Sequence, residues 1–332
     1  MITRRELALS VASAALAIGL NARRTHAAEF QLRIGHDGAA TSPMNLEMVK
    51  AAEIILKRTD GAVSVSVFPS SQLGAGSEMI SLVRNGAVDG YLFAASLLGN
   101  ISPSAGISAL GYAFRSYESA WRALDGKMGD IIRQDLRGVG LVPMDKIWDI
   151  GMRNTATHTV PVRTVNDLKG LKIRVAVSPV NVSLWRALGA APTAMNFSEI
   201  YSALQTRLID GMEGPVSFHL TAKFFEVTKY YSLTGHQWEG LWLTMNPGIW
   251  QRLGKYQNAV QEELNQGAER VRVATVESDK QGIQELEQKG MTILRPNQKE
   301  FAEKLLEANY YAAWKGKYTE ALWTEFERVR SG

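Results

Sequence analysis

Apolar and polar residues alternate from Phe30 to Gly35, Val63 to Phe68 has the same period of two, and Val88 to Ala94 reads as a third strand. Between the first two, Pro43 to Lys57 carries apolar residues at helical spacing. After the second, the turn cluster Pro69-Ser70-Ser71-Gln72 leads into a helix near Glu78 to Asn85. Strand and helix in alternation argue for parallel pairing through helical crossovers, hence an α/β lobe.

The second half repeats part of this plan. Ser77-Glu78 runs to Asp89-Gly90 with the spacing at which Ser198-Glu199 runs to Asp210-Gly211, each block reading as a capped helix followed by a turn into a strand. Ser77 and Ser198 are the expected caps, since a serine hydroxyl accepts from the free N–H groups of a first turn. The repeat suits two similar lobes facing each other across a cleft. Chain crossings between lobes are expected near Ile147 to Asn154 and near Glu239 to Asn246. They assign 29–150 with about 240–280 to one lobe and 151–239 with about 281–332 to the other. Ile249 to Gln288 and Phe301 to Val329 are helical in pattern, and Tyr310, Tyr311, Trp314 and Trp323 on the latter read as core.

The N-terminus differs from the rest. Arg4 and Arg5 precede an alanine-rich apolar run from Leu7 to Leu20, Arg23 and Arg24 follow, and small residues stand at Ala27 and Ala28. Residues 1–28 therefore read as a cleaved export signal, too short for a membrane span. Thr3-Arg4-Arg5-Glu6-Leu7 fits a twin-arginine motif, and a general secretory signal fits equally well. The expected location is the periplasm.

Composition narrows the function. With 45% hydrophobic and 21% charged residues, the chain is that of an ordinary globular protein. Its formal charge of +4 draws on the basic N-terminal segment, so the mature chain is close to neutral and no nucleic-acid partner is expected. No cysteine is present, which excludes disulfides, thiolate metal sites and a cysteine nucleophile. Histidines are scattered at 26, 36, 158, 219 and 236 without an H-E-x-x-H motif, and neither a phosphate-binding loop nor a G-x-S-x-G elbow occurs. Neither metal nor cofactor is expected.

Several segments, in order and spacing, resemble one family, the solute receptors of tripartite ATP-independent periplasmic (TRAP) transporters. They are Val67-Phe68-Pro69-Ser70-Ser71-Gln72-Leu73-Gly74, Asp167-Leu168-Lys169-Gly170-Leu171-Lys172-Ile173-Arg174-Val175, Leu188-Gly189-Ala190, Asn196-Phe197-Ser198-Glu199-Ile200-Tyr201-Ser202-Ala203-Leu204-Gln205 and Phe224-Phe225-Glu226-Val227. The resemblance spans nearly the whole mature chain. It implies a two-lobed periplasmic-binding-protein-like α/β fold with hinge strands, closing on a carboxylate-bearing ligand for presentation to a membrane permease. It implies no catalysis.

Arg174 shares a strand face with Lys172 and Ala176. A guanidinium so placed serves either a structural ion pair or a two-pronged carboxylate clamp; the resemblance implies the clamp. Arg153 matches a second arginine that lines or supports the pocket, with a hinge ion pair as the alternative. The family commonly carries Gln and Asn where this chain has Met212 and Gly214, so specificity does not transfer directly, and a glycine lets backbone N–H groups approach a ligand. Trp148, Asp149, Phe197, Trp238 and Glu239 fall near cleft-lining positions, where aromatic faces cover a ligand body and the acids accept from its hydroxyls; core or hinge roles are the alternatives. His36, Asp37 and Ser96 follow strands and are candidates for the cleft mouth. The expected ligand is a small organic acid, with a monocarboxylate of bulky apolar or hydroxylated body favoured, bound by a monomer. A secreted enzyme acting on an organic acid and a ligand-sensing receptor for a signalling partner are the other classes that fit these arginines.

Overall fold

The computed structural model describes residues 28–331; the expected export signal, twin-arginine or general secretory, lies outside the described residues apart from Ala28. Ten strands form one sheet: β1 (Phe30–Gly35), β2 (Val63–Phe68), β3 (Gly90–Ala94), β4 (Val142–Pro143), β5 (Trp148–Thr157), β6 (Lys172–Val175), β7 (Ala191–Ala194), β8 (Gly211–Pro215), β9 (Tyr230–Met245) and β10 (Thr292–Leu294). The main path runs β2-β1-β3-β9-β5-β8-β6-β7, with β4 and β10 both on β9. One lobe is built on β1 to β3 and the other on β6 to β8. The two long strands β5 and β9 pair antiparallel with each other and run through both.

The topology is symmetric about that pair. β3 pairs parallel with β1 and antiparallel with β9, and β8 pairs parallel with β6 and antiparallel with β5. The two Ser-Glu to Asp-Gly blocks thus occupy equivalent places, each a helix feeding the strand beside a hinge strand.

Local chemistry accounts for the elements. Helix Pro43–Arg58 starts at Ser42, whose side chain accepts from the Asn45 N–H, has proline in its first turn and ends on Lys57 and Arg58. It buries Met48 and Ile55 against Leu32 and Ile34 of β1 and against Leu264 of the long helix Gln257–Gln288. A second core gathers Ile200, Leu204, Tyr231 and Leu286, and a third joins Phe93, Trp185, Trp238, Phe301 and Phe326. Each such side chain contributes roughly 1.5–3 kcal/mol when fully buried.

Two details depart from the expected layout. The helices Gln298–Glu307 and Tyr310–Lys315 pack on helix Pro179–Ala187, whereas Glu320–Ser331 packs on Lys127–Gly138 beside the other lobe, so the C-terminal segment touches both lobes. Tyr310, Tyr311, Trp314 and Trp323 are buried in this packing. Ser77 and Ser198 are not caps. Ala75 precedes helix Gly76–Arg84 with no side-chain cap, and Ser198 lies inside a short 3-10 turn, Phe197–Glu199, that Asn196 caps.

Candidate functional site

A cavity with about 710 Å³ of empty space, its mouth included, lies between the lobes. One lobe supplies Asp37 just after β1 and Ser77 in the first turn of Gly76–Arg84. The other supplies Arg174 from β6, Asn196 and Phe197 after β7, and Gly214 from β8. The floor comes from the hinge strands. Ile150 and Arg153 of β5 both reach the cavity although they are three apart, because the β5–β9 register shifts between Asp149 and Gly151. Such a bulge needs a residue tolerant of positive φ. Gly151 supplies it at φ +102, where a Cβ would meet Asp279 Oδ2 at 2.7 Å.

Arg174 is 4% exposed. Its Nε and Nη2 donate to the Met195 carbonyl at 3.1 and 2.8 Å, and it forms no ion pair among the described residues. The carbonyl occupies the inner edge of the guanidinium, so the terminal edge, Nη1 with the second Nη2 hydrogen, is left for a ligand. Burial pushes the Arg174 pKa down to about 10, and Arg153 adds to this against the pull of Glu213, Asp37 and Glu199. It is therefore a charged group at neutral pH, held out of water.

Arg153 lines the same cavity in a different electrical state. Its Nη2 donates to Glu213 Oε1 at 2.6 Å, its Nε to Glu213 Oε2, and its Nη1 to Glu239 Oε2 at 3.3 Å. Burial opposes ionisation of Glu213, but the Arg153 charge and a hydrogen bond from His236 hold its pKa far below the usual carboxylate range. Burial pushes Glu239 upward despite Arg153. Arg153 is thus neutralised within the protein.

Of the other expected residues, Asp37, Phe197 and Gly214 line the cavity with the two arginines. Asp37 Oδ1 accepts from Ser71 Oγ and Tyr91 Oη, both at 2.7 Å. The remaining six do not line it, which corrects the expectation for each. Trp148 is wholly buried in the first-lobe core, against Gly267 of the long helix. Trp238 turns into the opposite core, its indole N–H donating to Asp149 Oδ2 at 3.1 Å and its ring packing edge-on to Phe114. Asp149 is fully occupied by Trp121, Trp238 and the Gly151 N–H. Glu239 accepts from Ser96 Oγ at 3.2 Å, which ties both to the hinge rather than to the cleft. His36 is buried beneath helix Pro43–Arg58, with Nε2 3.1 Å from Asn45 Oδ1.

Sequence reading missed Ser77 and Asn196 as cleft residues, along with Glu213 as the partner of Arg153 and the Met195 carbonyl as the brace of Arg174. The Asn196-to-Glu199 spacing of a capping box was the one available signal. Among the described residues there is no cluster of three or more His, Asp or Glu side chains arranged for a metal, and no helix long and apolar enough to cross a membrane.

Two α/β lobes joined by hinge strands, with an unpaired buried cation facing the space between them, define a solute-binding receptor of the periplasmic type. The chain belongs to the DctP family, bacterial extracellular solute-binding protein family 7, whose model matches residues 34–316. It is a periplasmic solute receptor of the TRAP kind, and the family consists of binding proteins rather than enzymes. The chain is 33% identical over 287 residues, 86% of its length and 87% of the relative's, to the 2,3-diketo-L-gulonate-binding periplasmic protein YiaO of Escherichia coli. A crystal structure of a TRAP periplasmic solute binding protein from Roseobacter denitrificans with bound L-galactonate is 31% identical, with a TM-score of 0.85 over 92% of this chain and 99% of that one. One from a Polaromonas species, bound to D-erythronate, is 27% identical with a TM-score of 0.85 over 91% and 98%.

Proposed function

We propose that this receptor, acting as a monomer, captures a small organic monocarboxylate between its lobes and delivers it to a TRAP permease for ion-gradient-driven uptake. Arg174 clamps the carboxylate, Asp37, Phe197 and Gly214 contact the body, and Arg153 braces the floor between the lobes.

One observation carries the reading: Arg174 is buried and charged, yet among the described residues has only a carbonyl for a partner. A buried cation without a counter-charge is costly, and an anionic guest removes that cost. Arg153 is already matched by Glu213 and Glu239, and Asp37 stands on the facing wall, so one carboxylate is welcome and a second finds no free cation among the described residues that line the cavity. The ligands named for the relatives include single-carboxylate acids, such as 2,3-diketo-L-gulonate, L-galactonate and D-erythronate, and dicarboxylates such as succinate, so the single-carboxylate reading rests on the charges of this site alone.

Isothermal titration against monocarboxylates, succinate and neutral sugars tests this, with the ligand checked unchanged by NMR after long incubation. The expected result is tight monocarboxylate binding without turnover, lost in Arg174→Ala. Preferential binding of neutral sugars would overturn the clamp, stronger binding of succinate would overturn the single-carboxylate reading, and turnover would restore the enzyme reading.

A further inference from the structure

We infer that the ligand body is compact and largely apolar: a branched aliphatic or single-ring aromatic monocarboxylate with one hydroxyl remote from the carboxylate, rather than a polyhydroxylated acid. The inference rests on Arg174 holding the carboxylate and concerns what the rest of the cavity accepts.

The walls beyond the guanidinium are hydrocarbon and thioether: Met44, Leu92, Ile150, Met212, Phe218 and Leu241. Met212 stands in register with Arg174 on the adjacent parallel strand. Gly214 contributes no side chain, and a Cβ built there would lie 3.1 Å from the Met212 methyl, so the methyl covers the space a polar side chain would fill. The side of the site beside the clamp is consequently apolar.

Few polar groups remain for a ligand. Arg153 and Glu213 are committed to each other, and Asn196 Oδ1 accepts from Ser77. Beyond the Arg174 fork, and counting the described side chains that line the cavity, this leaves Asp37 Oδ2 and Asn196 Nδ2 without hydrogen-bond partners. A sugar acid would carry more hydroxyls into this space than there are groups to meet them, and each unpaired buried hydroxyl weakens binding. Asp37, when ionised, only accepts, so it calls for a donor on the ligand. It belongs to the lobe facing Arg174, so such a ligand spans the cleft, carboxylate to one lobe and hydroxyl to the other.

The test is titration calorimetry on the whole mature protein with para-hydroxyphenylacetate, phenylacetate, 4-hydroxy-3,3-dimethylbutanoate, L-galactonate and D-galacturonate. The apolar hydroxy acids are expected to bind about tenfold or more tightly than the two sugar acids, and the para-hydroxyl to add about tenfold over phenylacetate. Asp37→Ala should abolish the para-hydroxyl advantage, lowering para-hydroxyphenylacetate affinity about tenfold more than phenylacetate affinity. Because Asp37 also holds Tyr91 and Ser71, Met212→Gln serves as an independent variant, expected to shift preference toward the sugar acids with melting temperature monitored. Sugar acids binding wild type more tightly would overturn this inference and leave the carboxylate reading standing. Binding of none of the acids would overturn both.

Discussion

Ser77 Oγ donates to Asn196 Oδ1 at 3.0 Å across the cleft, joining the first turn of the helix Gly76–Arg84 in one lobe to the residue that caps the turn after β7 in the other. Asn100 Nδ2 makes a second crossing, to the Val177 carbonyl at 2.8 Å. Both belong to the protein alone, so closure is supported from within and a ligand adds its own bridging contacts to an equilibrium already biased by these two.

Ser77→Ala removes one of the crossings without touching the guanidinium. A neutral hydrogen bond contributes about 1 kcal/mol, so affinity should fall about fivefold. Stopped-flow fluorescence should place the loss in faster ligand release, with the association rate little changed, because the bond forms only once the lobes meet. An unchanged release rate would remove Ser77 from closure.

Arg174→Lys separates charge from shape. Lysine keeps the positive charge, but a single ammonium cannot both hold the Met195 carbonyl, as Nε and Nη2 do at 3.1 and 2.8 Å, and present two parallel donors. Calorimetry should show a loss of about 2 kcal/mol, roughly 30-fold, in monocarboxylate affinity. Near-complete retention would mean that a point charge suffices and that the braced fork is incidental.

Arg153 is expected to matter first for stability. Its removal leaves Glu213 buried on β8 without its cation and with His236 as its remaining side-chain partner, and breaking such a pair costs about 3–5 kcal/mol. Urea denaturation of Arg153→Ala should lose that amount with the slope unchanged. The double variant Arg153→Ala/Glu213→Ala should lose less than the sum of the two single changes, since each single change strands the other's charge.

Much of the fold was legible because it rests on local pattern. Phe30–Gly35 and Val63–Phe68 have the expected strand bounds, and Pro43–Arg58 exceeds its expected helix by one residue. Family resemblance pointed to both arginines and to Gly214, which share the cavity wall with Asp37 and Phe197. What escaped was non-local. The resemblance places Trp148, Asp149, Trp238 and Glu239 near the cleft, but it carries no side-chain direction through the irregular β5–β9 register, and these side chains pack or bond elsewhere. Ser-Glu before an apolar run predicts a cap at Ser77; its actual partner, Asn196, is 119 positions away. No pattern in the chain announces that the Met195 carbonyl braces Arg174 while carboxylates neutralise Arg153.

Behind the floor of the cleft, Asp279 gives the protein an acid-side stability that can be measured. Tyr117 donates its hydroxyl to Asp279 Oδ2, while Oδ1 is buried without a partner and Asp149 lies close by. Burial, reinforced by the Asp149 charge, pushes the Asp279 pKa up to about 7, and burial pushes Asp149 up to about 6 against its donors Trp121, Gly151 and Trp238. The folded state therefore holds these protons at a pH where the unfolded chain, with an ordinary value of 3.8, has lost them. Fewer protons on the unfolded state mean that stability falls as pH rises. The contribution is complete below the ordinary value and is lost as pH climbs to about 7, at about 1.4 kcal/mol for every pH unit separating the folded and unfolded values. Asp279→Asn keeps an oxygen for Tyr117 and cannot ionise. Its unfolding free energy should decline less steeply than that of wild type from about pH 4 to about pH 7, and it should be the more stable protein above that window. Parallel stability curves for the two proteins across the window would show that Asp279 titrates as it would in water.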